Sequence, residues 1–389
     1  MTSVCFYFQV HQPIRLNRFN IFNNTSYFDE EKNRKIFEKV SSKCYIPTNN
    51  ILLNLIDEYK NKFKIAFSLT GVFIEQCKKY VPHVIESFKQ LANTGNVEFL
   101  SETYYHSLAA LFSQKEFEEQ IQLHKNLIND LFGQKPEIFR NTEAMYSNSI
   151  AKIIENLGYK GIITEGHEKI LSWRSPNYLY KPVNCENLVA LLRNYKLSDD
   201  IGFRFSAKWW EEYPLTADKY AAWLSKCEGN CINIFIDYET FGEHQWQDTG
   251  IFEFLKHLPN EILKYKHLDF KTPSEVVKHY KPVGVIDVPN ILSWADIDRD
   301  ASAWLENEMQ RFAFEQMAKL EETVKQNPEF LKIWRILQTS DHFYYMCTKW
   351  FADGDVHKYF NAYDSPYDAF INYMNVLQDL KNRCLSGNK

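Results

Sequence analysis

From its first residues to about position 285 the chain alternates short apolar runs with stretches of helical periodicity, joined by short connections. Val4, Phe6 and Phe8 alternate in the first run. Phe63–Leu69, Val97–Leu100, Glu137–Arg140, Gly161–Thr164, Leu188–Arg193 and the β-branched run from Cys231 to Ile236 follow it. Between them Ile51, Leu52, Leu55, Ile56 and Tyr59 recur on one helix face behind Thr48, a plausible N-cap. Phe117, Ile121, His124, Ile128 and Leu131 do so ahead of Gly133, and Ile150, Ile153, Ile154 and Leu157 behind Ser147. Strands joined through covering helices run parallel, because each helix returns the chain to the same end of the sheet. About seven such strands fit a closed or nearly closed barrel, and an open doubly wound sheet is the competing arrangement.

Past Pro289 no strand is evident, and 301–325, 328–351 and 365–384 read as helical. The expected organisation is therefore a barrel over 1–285 and a helical region over 286–389. Residues 14–47 read as a long loop with helical turns near 30–40, a length at which loops are often functional.

The run CINIFIDYETFGEHQW, Cys231–Trp246, shows what the mouth of such a barrel would carry. It turns from Ile232, Ile234 and Ile236 to Asp237, Glu239, Glu243, His244 and Trp246 within a few positions. Carboxylates, an imidazole and an indole make a poor core, and they make a good site at the carboxyl end of a barrel strand. His11 follows the first strand, Glu98 lies in the third, and Glu143 follows the strand at 137–140. Parallel strands point the same way, so Glu143 and Asp237 should meet at one mouth. Each carboxylate alone reads as a surface or capping group. Together they are what glycoside hydrolysis needs, one protonated to assist the leaving oxygen and one ionised to attack or to activate water.

Bulk properties narrow the alternatives. The 389 residues are 45% hydrophobic, enough for a sizeable core, and the net charge is -5 with no long basic run. Nucleic acid and an anionic membrane surface are therefore unexpected partners. Aromatic residues, at 16%, suit a protein whose ligands are sugars. Gln9 and His11 interrupt the N-terminal apolar run, so it does not read as a signal peptide, and no stretch approaches the ~20 apolar residues of a spanning helix. Eight scattered cysteines point to reduced thiols and a cytoplasmic location, and Cys227 with Cys231, lacking a second close pair, is a weak metal signal. No cofactor and no metal are expected.

Five stretches, His11-Gln12-Pro13, GNVEFLSETYYH (95–106), FRNTEAMYS (139–147), FIDYETFGEHQW (235–246) and SWADIDRDASAWLENEMQ (293–310), resemble the ordered motifs of glycoside hydrolase family 57. WRILQTSDHFYYM (334–346) also resembles the helical region of its α-amylase-type members. The resemblance spans the chain and implies an incomplete (β/α)7 barrel, a C-terminal helical region that contributes to the cleft, and a retaining mechanism. It implies that Glu143 is the nucleophile and Asp237 the general acid/base, with His11 and Glu98 lining the neighbouring sugar subsite. Trp294, Asp296 and 298–304 correspond to the fifth motif. DYETFGEHQW resembles the α-amylase group most, which makes an α-1,4-glucan or maltooligosaccharide the expected substrate.

A retaining pair needs carboxyls ~5–5.5 Å apart, with Glu143 kept ionised and Asp237 raised by apolar walls and by its neighbour's charge. Glu239 reads equally as a sugar ligand or a structural partner. His244 and His106 are weaker candidates for the cleft, Trp209, Trp210 and Trp246 are candidate stacking platforms, Trp304 reads as core, and His342 as buried structure. Three other activities compete. A 4-α-glucanotransferase would use the same residues. A metal-dependent hydrolase of the polysaccharide deacetylase kind would recruit His11, His106, Asp237, Glu239 and His244, although no tight H-x₃₋₄-H pair occurs. A non-catalytic glucan-binding protein would need the cleft alone.

Overall fold

The computed structural model describes residues 1–22, 26–349 and 361–386. Its strands are β1 Thr2–Val10, β2 Ile65–Leu69, β3 Val97–Phe99, β4 Ile138–Arg140, β5 Gly161–Glu165, β6 Tyr180–Pro182, β7 Val189–Arg193, β8 Cys231–Asp237, β9 Leu268–Phe270 and β10 Gly284–Ile286. β8, β1, β2 and β3 pair in parallel in that order. β3 hands over to β4 through a parallel bridge between Ser101 and Phe139, and β4, β5 and β7 continue in parallel.

The ring closes between β7 and β8 without a backbone ladder among the described residues. The Asn194 amide donates to the Asn233 carbonyl, Asn233 Nδ2 to the Leu192 carbonyl, and Arg193 Nε to the Phe235 carbonyl at 2.7 Å. Two side chains there supplement a single backbone bond. The result is an incomplete (β/α)7 barrel, with β9 set against the start of β1 and with β6 and β10 paired outside β7.

The two-residue strand period assigns the faces. Val4, Phe6 and Phe8 of β1 and Ile232, Ile234 and Ile236 of β8 face outward into a large core shared with the covering helices. Cys5, Tyr7, Cys231 and Phe235 face inward and fill the barrel. Tyr7 aligns with Phe235, and one step on, Gln9 aligns with Asp237. The interior row thus turns from apolar to polar at the carboxyl ends of the strands, which is where the cleft opens.

After β10 the described helices are Ser302–Leu305, Glu308–Ala318, Glu321–Val324, Pro328–Leu337 and Ser340–Tyr344, all short, and the continuous Pro366–Ser386, where 365–384 was expected. The helical stretches expected over 301–325 and 328–351 are therefore broken. Asn307 restarts a helix with a capping box to Gln310, and the chain turns at Thr339, which bridges to Ser107. Positions 350 and 351 lie outside the described residues. The expected loop at 14–47 is also mostly helix. Asp29 caps Glu30–Val40, a π-helical turn Ser41–Tyr45 follows, and Ile46–Tyr59 continues. Phe37, Val40, Cys44 and Tyr45 are buried there, but intervening charged and polar residues obscure their period. Thr48 lies within this helix and donates to the Phe241 carbonyl instead of capping.

The helical region is anchored to the barrel by buried charge. Arg335 donates to both oxygens of the fully buried Glu116, at 2.8 and 3.0 Å, and to Glu119 at 2.6 Å. Removing one partner of a buried pair costs about 3–5 kcal/mol, because the other charge is left stranded. Lys325, 3.6 Å from Glu116, offsets part of that. Arg335→Met is expected to destabilise the protein by about 3 kcal/mol in urea denaturation, the lower end of that range.

Candidate active site

A cleft of about 700 Å³ opens at the carboxyl ends of the strands, where the helical region meets the barrel. Glu143 occupies a single helical turn, Thr142–Ala144, directly after β4. Its φ of 55° lies in the left-handed region, as do those of Ala144 and His106, at 50° and 49°. Such conformations cost about 1–3 kcal/mol each in a non-glycine residue and persist only where surroundings enforce them. The turn is held by the Ala144 amide on the Asn141 carbonyl and the Met145 amide on the Thr142 carbonyl.

Three donors converge on the Glu143 carboxylate. Trp294 Nε1 donates to Oε2 at 2.9 Å, Ser340 Oγ to Oε1 at 2.9 Å, and His106 Nε2 to Oε1 at 3.3 Å. Burial opposes its ionisation, but the hydrogen bond and charge of His106, and the charge of Arg140, outweigh it and hold the carboxyl below its ordinary range.

His106 lies between two carboxylates, with Nδ1 3.3 Å from Glu102 Oε2. Burial lowers its pKa, but the bonds to Glu102 and Glu143 prevail and push it up to about 9. Glu102 also accepts from Ser68 Oγ and from Gln9 Nε2 at 3.2 Å. Despite burial, its bond to His106 helps bring it down to about 2.

His11 stacks on His106 at 4.1 Å between ring centroids. Burial, and then the charge of His106, lower its pKa, so His106 carries the proton and His11 stays neutral. The network fixes its tautomer. Asp341, held ionised, can only accept, so Nε2–H donates to its Oδ2 at 3.0 Å, and Nδ1 of the neutral ring accepts from Thr70 Oγ1.

Asp237 ends β8 and lines the same cleft. Burial pushes its pKa up to about 6; the charge of Glu143 adds to this and that of Arg140 opposes it. Arg140, fully buried at the end of β4, lies over the Trp294 ring at 4.6 Å and makes no side-chain hydrogen bond to a described residue. It acts on the two carboxyls as a charge. Glu239 accepts from Tyr45 Oη at 2.6 Å and is pushed up to about 8 by burial and by the charge of Asp237.

His244, brought down to about 4 by burial, also lines the cleft. The loop that presents it is pressed against the π-helical turn. Gly242 there has φ 110°, and a Cβ would come within 2.0 Å of the Lys43 carbonyl. Asp296 and Trp304 complete the wall given by the helical region.

Four expected binding residues lie elsewhere. Glu98 aligns with Ala66, deeper in the barrel, and its Oε2 accepts from the Ser274 amide at 2.9 Å. Glu102, four residues on, reaches the site instead. Trp209 faces solvent at 80% exposure, away from the cleft. Trp210 packs edge-on against Trp223 at 6.0 Å, and Trp246 carries Lys43 over its ring at 5.1 Å. Their runs made them candidates, but helix packing and loop direction turned them outward. His342 is buried, as expected, while its neighbour Asp341 enters the cleft. Asp341, Ser340 and Arg140 were missed: each reads as an ordinary helix or strand-end polar residue until partners from distant segments are in place. Among the described residues no group of three or more His, Cys, Asp or Glu is placed to hold a metal ion, and no helix is long and apolar enough to cross a membrane.

Comparison with known proteins agrees with this architecture. The sequence profile described as Glycosyl hydrolase family 57 matches residues 5–289. A Methanocaldococcus jannaschii protein, whose name assigns α-amylase activity only provisionally, is 50% identical over 97% of this chain and 84% of its own length. Among solved structures, a GH57 branching enzyme from Thermococcus kodakaraensis superposes with a TM-score of 0.72 at 15% identity, over 100% of this chain and 91% of that one. A 4-α-glucanotransferase from Thermococcus litoralis superposes with a TM-score of 0.69 at 16% identity, over 88% and 56%. At such identities the structural likeness concerns the fold.

The charge of His106 lowers the pKa of both Glu143 and Asp237. His106→Gln removes that charge, so both should ionise at higher pH. Both limbs of the pH profile of kcat/KM are expected to move in the alkaline direction, as read from initial rates.

Proposed function

Since the chain belongs to glycosyl hydrolase family 57, we propose that it is a retaining, α-amylase-type enzyme acting on α-1,4-glucans, with Glu143 as nucleophile and Asp237 as general acid/base. The observation that carries this reading is the opposite tuning of two carboxyls at one mouth. Glu143 is held ionised by donors, and Asp237 is pushed up to about 6. Glu143 attacks the anomeric carbon while Asp237 gives its proton to the departing glycosidic oxygen. Asp237, now ionised, takes a proton from water, which then displaces Glu143 and restores both groups. His11, His106, Asp341, Glu239, His244, Trp294 and Asp296 offer donors, acceptors and an indole face to the sugar.

Donation to a sugar hydroxyl acceptor in place of water would make the same machinery a 4-α-glucanotransferase. The exposure of Phe203 and Ile297 at the cleft favours this second reading, since they offer an acceptor sugar an apolar surface. We place the enzyme in the cytoplasm, in keeping with its eight free cysteines. We take residues 1–285 as its catalytic barrel and 286–389 as the helical region that completes the cleft.

Incubation with maltoheptaose separates the readings. Chromatography should show shorter products alone for an amylase and a ladder of shorter and longer chains for a transferase. Neither should form with Glu143→Gln, and a chelator should leave wild-type turnover intact; chelator-sensitive turnover would contradict the two-carboxylate mechanism. The first step needs the proton of Asp237, so kcat/KM should fall as pH rises through about 6. Asp237→Asn should lower kcat/KM on maltoheptaose by about 10²–10⁴-fold, and far less on an aryl α-maltoside, whose leaving group needs no proton in the first step.

A further inference from the structure

The indole that meets Glu143 belongs to a loop, residues 293–300, that has no regular structure of its own and contains two non-glycine residues at positive φ, Asp296 at 59° and Arg299 at 51°. The loop folds back on itself. The Ser293 amide donates to the Arg299 carbonyl at 3.0 Å, and Ser293 Oγ to the Asp300 carbonyl at 2.8 Å. Arg299 then turns its guanidinium inward. Nη1 donates to the Trp294 carbonyl and, at 3.1 Å, to Glu165 Oε2, while Nη2 is 3.5 Å from Asp199 Oδ2.

The acids that receive Arg299 belong to the barrel. Glu165 ends β5 and is fully buried, and Asp199 lies in the helix Tyr195–Gly202. Both are also held by Arg193 at the end of β7, at 3.0 and 2.6 Å. Two carboxylates and two guanidiniums form a charge-balanced cluster that joins three barrel elements to one loop of the helical side. Trp294 lies within the same arrangement, with Arg140 and Arg193 over its ring at 4.6 and 5.6 Å.

We propose that Arg299 is a positioning residue for the nucleophile, its guanidinium locking loop 293–300 onto Glu165 and Asp199 so that the Trp294 indole N–H meets the Glu143 carboxylate. The proposal rests on the reading of Glu143 as nucleophile. Arg299 acts through Trp294 and gives the barrel control over a donor that its own strands do not carry. A fork of donors suits the task, since one guanidinium reaches a loop carbonyl and two carboxylates, whereas an ammonium on a flexible stem lacks that planar geometry.

The test is a steady-state comparison of wild type, Arg299→Ala, Arg299→Lys and Glu143→Gln on maltoheptaose across the pH range. Displacing a reacting group by a fraction of an ångström to an ångström costs up to about 100-fold. Arg299→Ala should therefore lose about 10–100-fold in kcat. Its acid limb should move to higher pH, because a carboxylate that loses a donor ionises less readily. Low, non-denaturing guanidinium should restore part of kcat where equal urea does not. Arg299→Lys should show the same changes in smaller measure, and it answers the question alone if the alanine variant does not fold. Near-wild-type kcat in either variant, or a lowered kcat with an unmoved acid limb and no guanidinium rescue, overturns the proposal. Turnover by Glu143→Gln would instead overturn the nucleophile reading beneath it.

Discussion

An ionised carboxylate in the wall of a cleft between the barrel and the helical region is the condition to which the rest of this molecule answers. Burial works against the charge of Glu143, and the penalty for an unmatched buried charge is several kcal/mol. The barrel alone matches it only in part, through His106. The other two donors, Trp294 and Ser340, come from beyond the last strand. Docking of the helical region is therefore part of the chemistry, and the buried pairs Arg335–Glu116 and Arg299–Glu165 that fasten it serve the site as well as the fold. The positive φ angles of His106 and Glu143 belong to the same account. Each costs stability, and together they bring an imidazole and a carboxylate to within 3.3 Å.

The two carboxyls at the mouth differ because their neighbours differ. Glu143 has three hydrogen-bond donors. Asp237, at the end of a strand whose inward face also carries Cys231, Asn233 and Phe235, has burial and a neighbouring negative charge working against its ionisation, with Arg140 as a partial counterweight. Arg140 is near enough to lower both groups without bonding to either, so it moves the pair together and leaves their difference to local contacts. The stacked imidazoles follow the same logic. One proton is shared unequally, and it goes to the ring that lies between two carboxylates.

Much of this was legible in the sequence because its signals are local. The β-branched run ending at Asp237, the strand ahead of Glu143 and the helical period behind Ser147 each show within ten residues or so, and parallel strand ends converge without further information. What stayed hidden depends on partners far away in the chain. Glu98 and Glu102 lie four residues apart in one motif, and only the barrel register shows that Glu102 lies beneath the mouth, against His106, while Glu98 stays deeper. Trp209 and Trp246 look like platforms in the sequence, but loop direction exposes them outside the cleft. Asp341 was not singled out in the sequence, and Arg299 figured there only as part of the motif stretch 298–304. Their roles appear only when His11, Glu165 and Asp199 are placed against them. The helix Glu30–Val40 was legible only as helical turns near 30–40, for a related reason. Its buried face is narrow and its other residues are charged.

The central claim, that Glu143 forms the covalent bond to the sugar, is tested most directly by trapping that bond. A fluorinated α-maltosyl fluoride, which forms the glycosyl-enzyme readily and releases it slowly, is incubated with wild-type protein, and the labelled peptide is identified by mass spectrometry. The account predicts one sugar adduct per chain, on Glu143 within the segment 141–147. An adduct on Asp237 or on another carboxylate, or consumption of the reagent with no adduct and with product of inverted anomeric configuration, would contradict it.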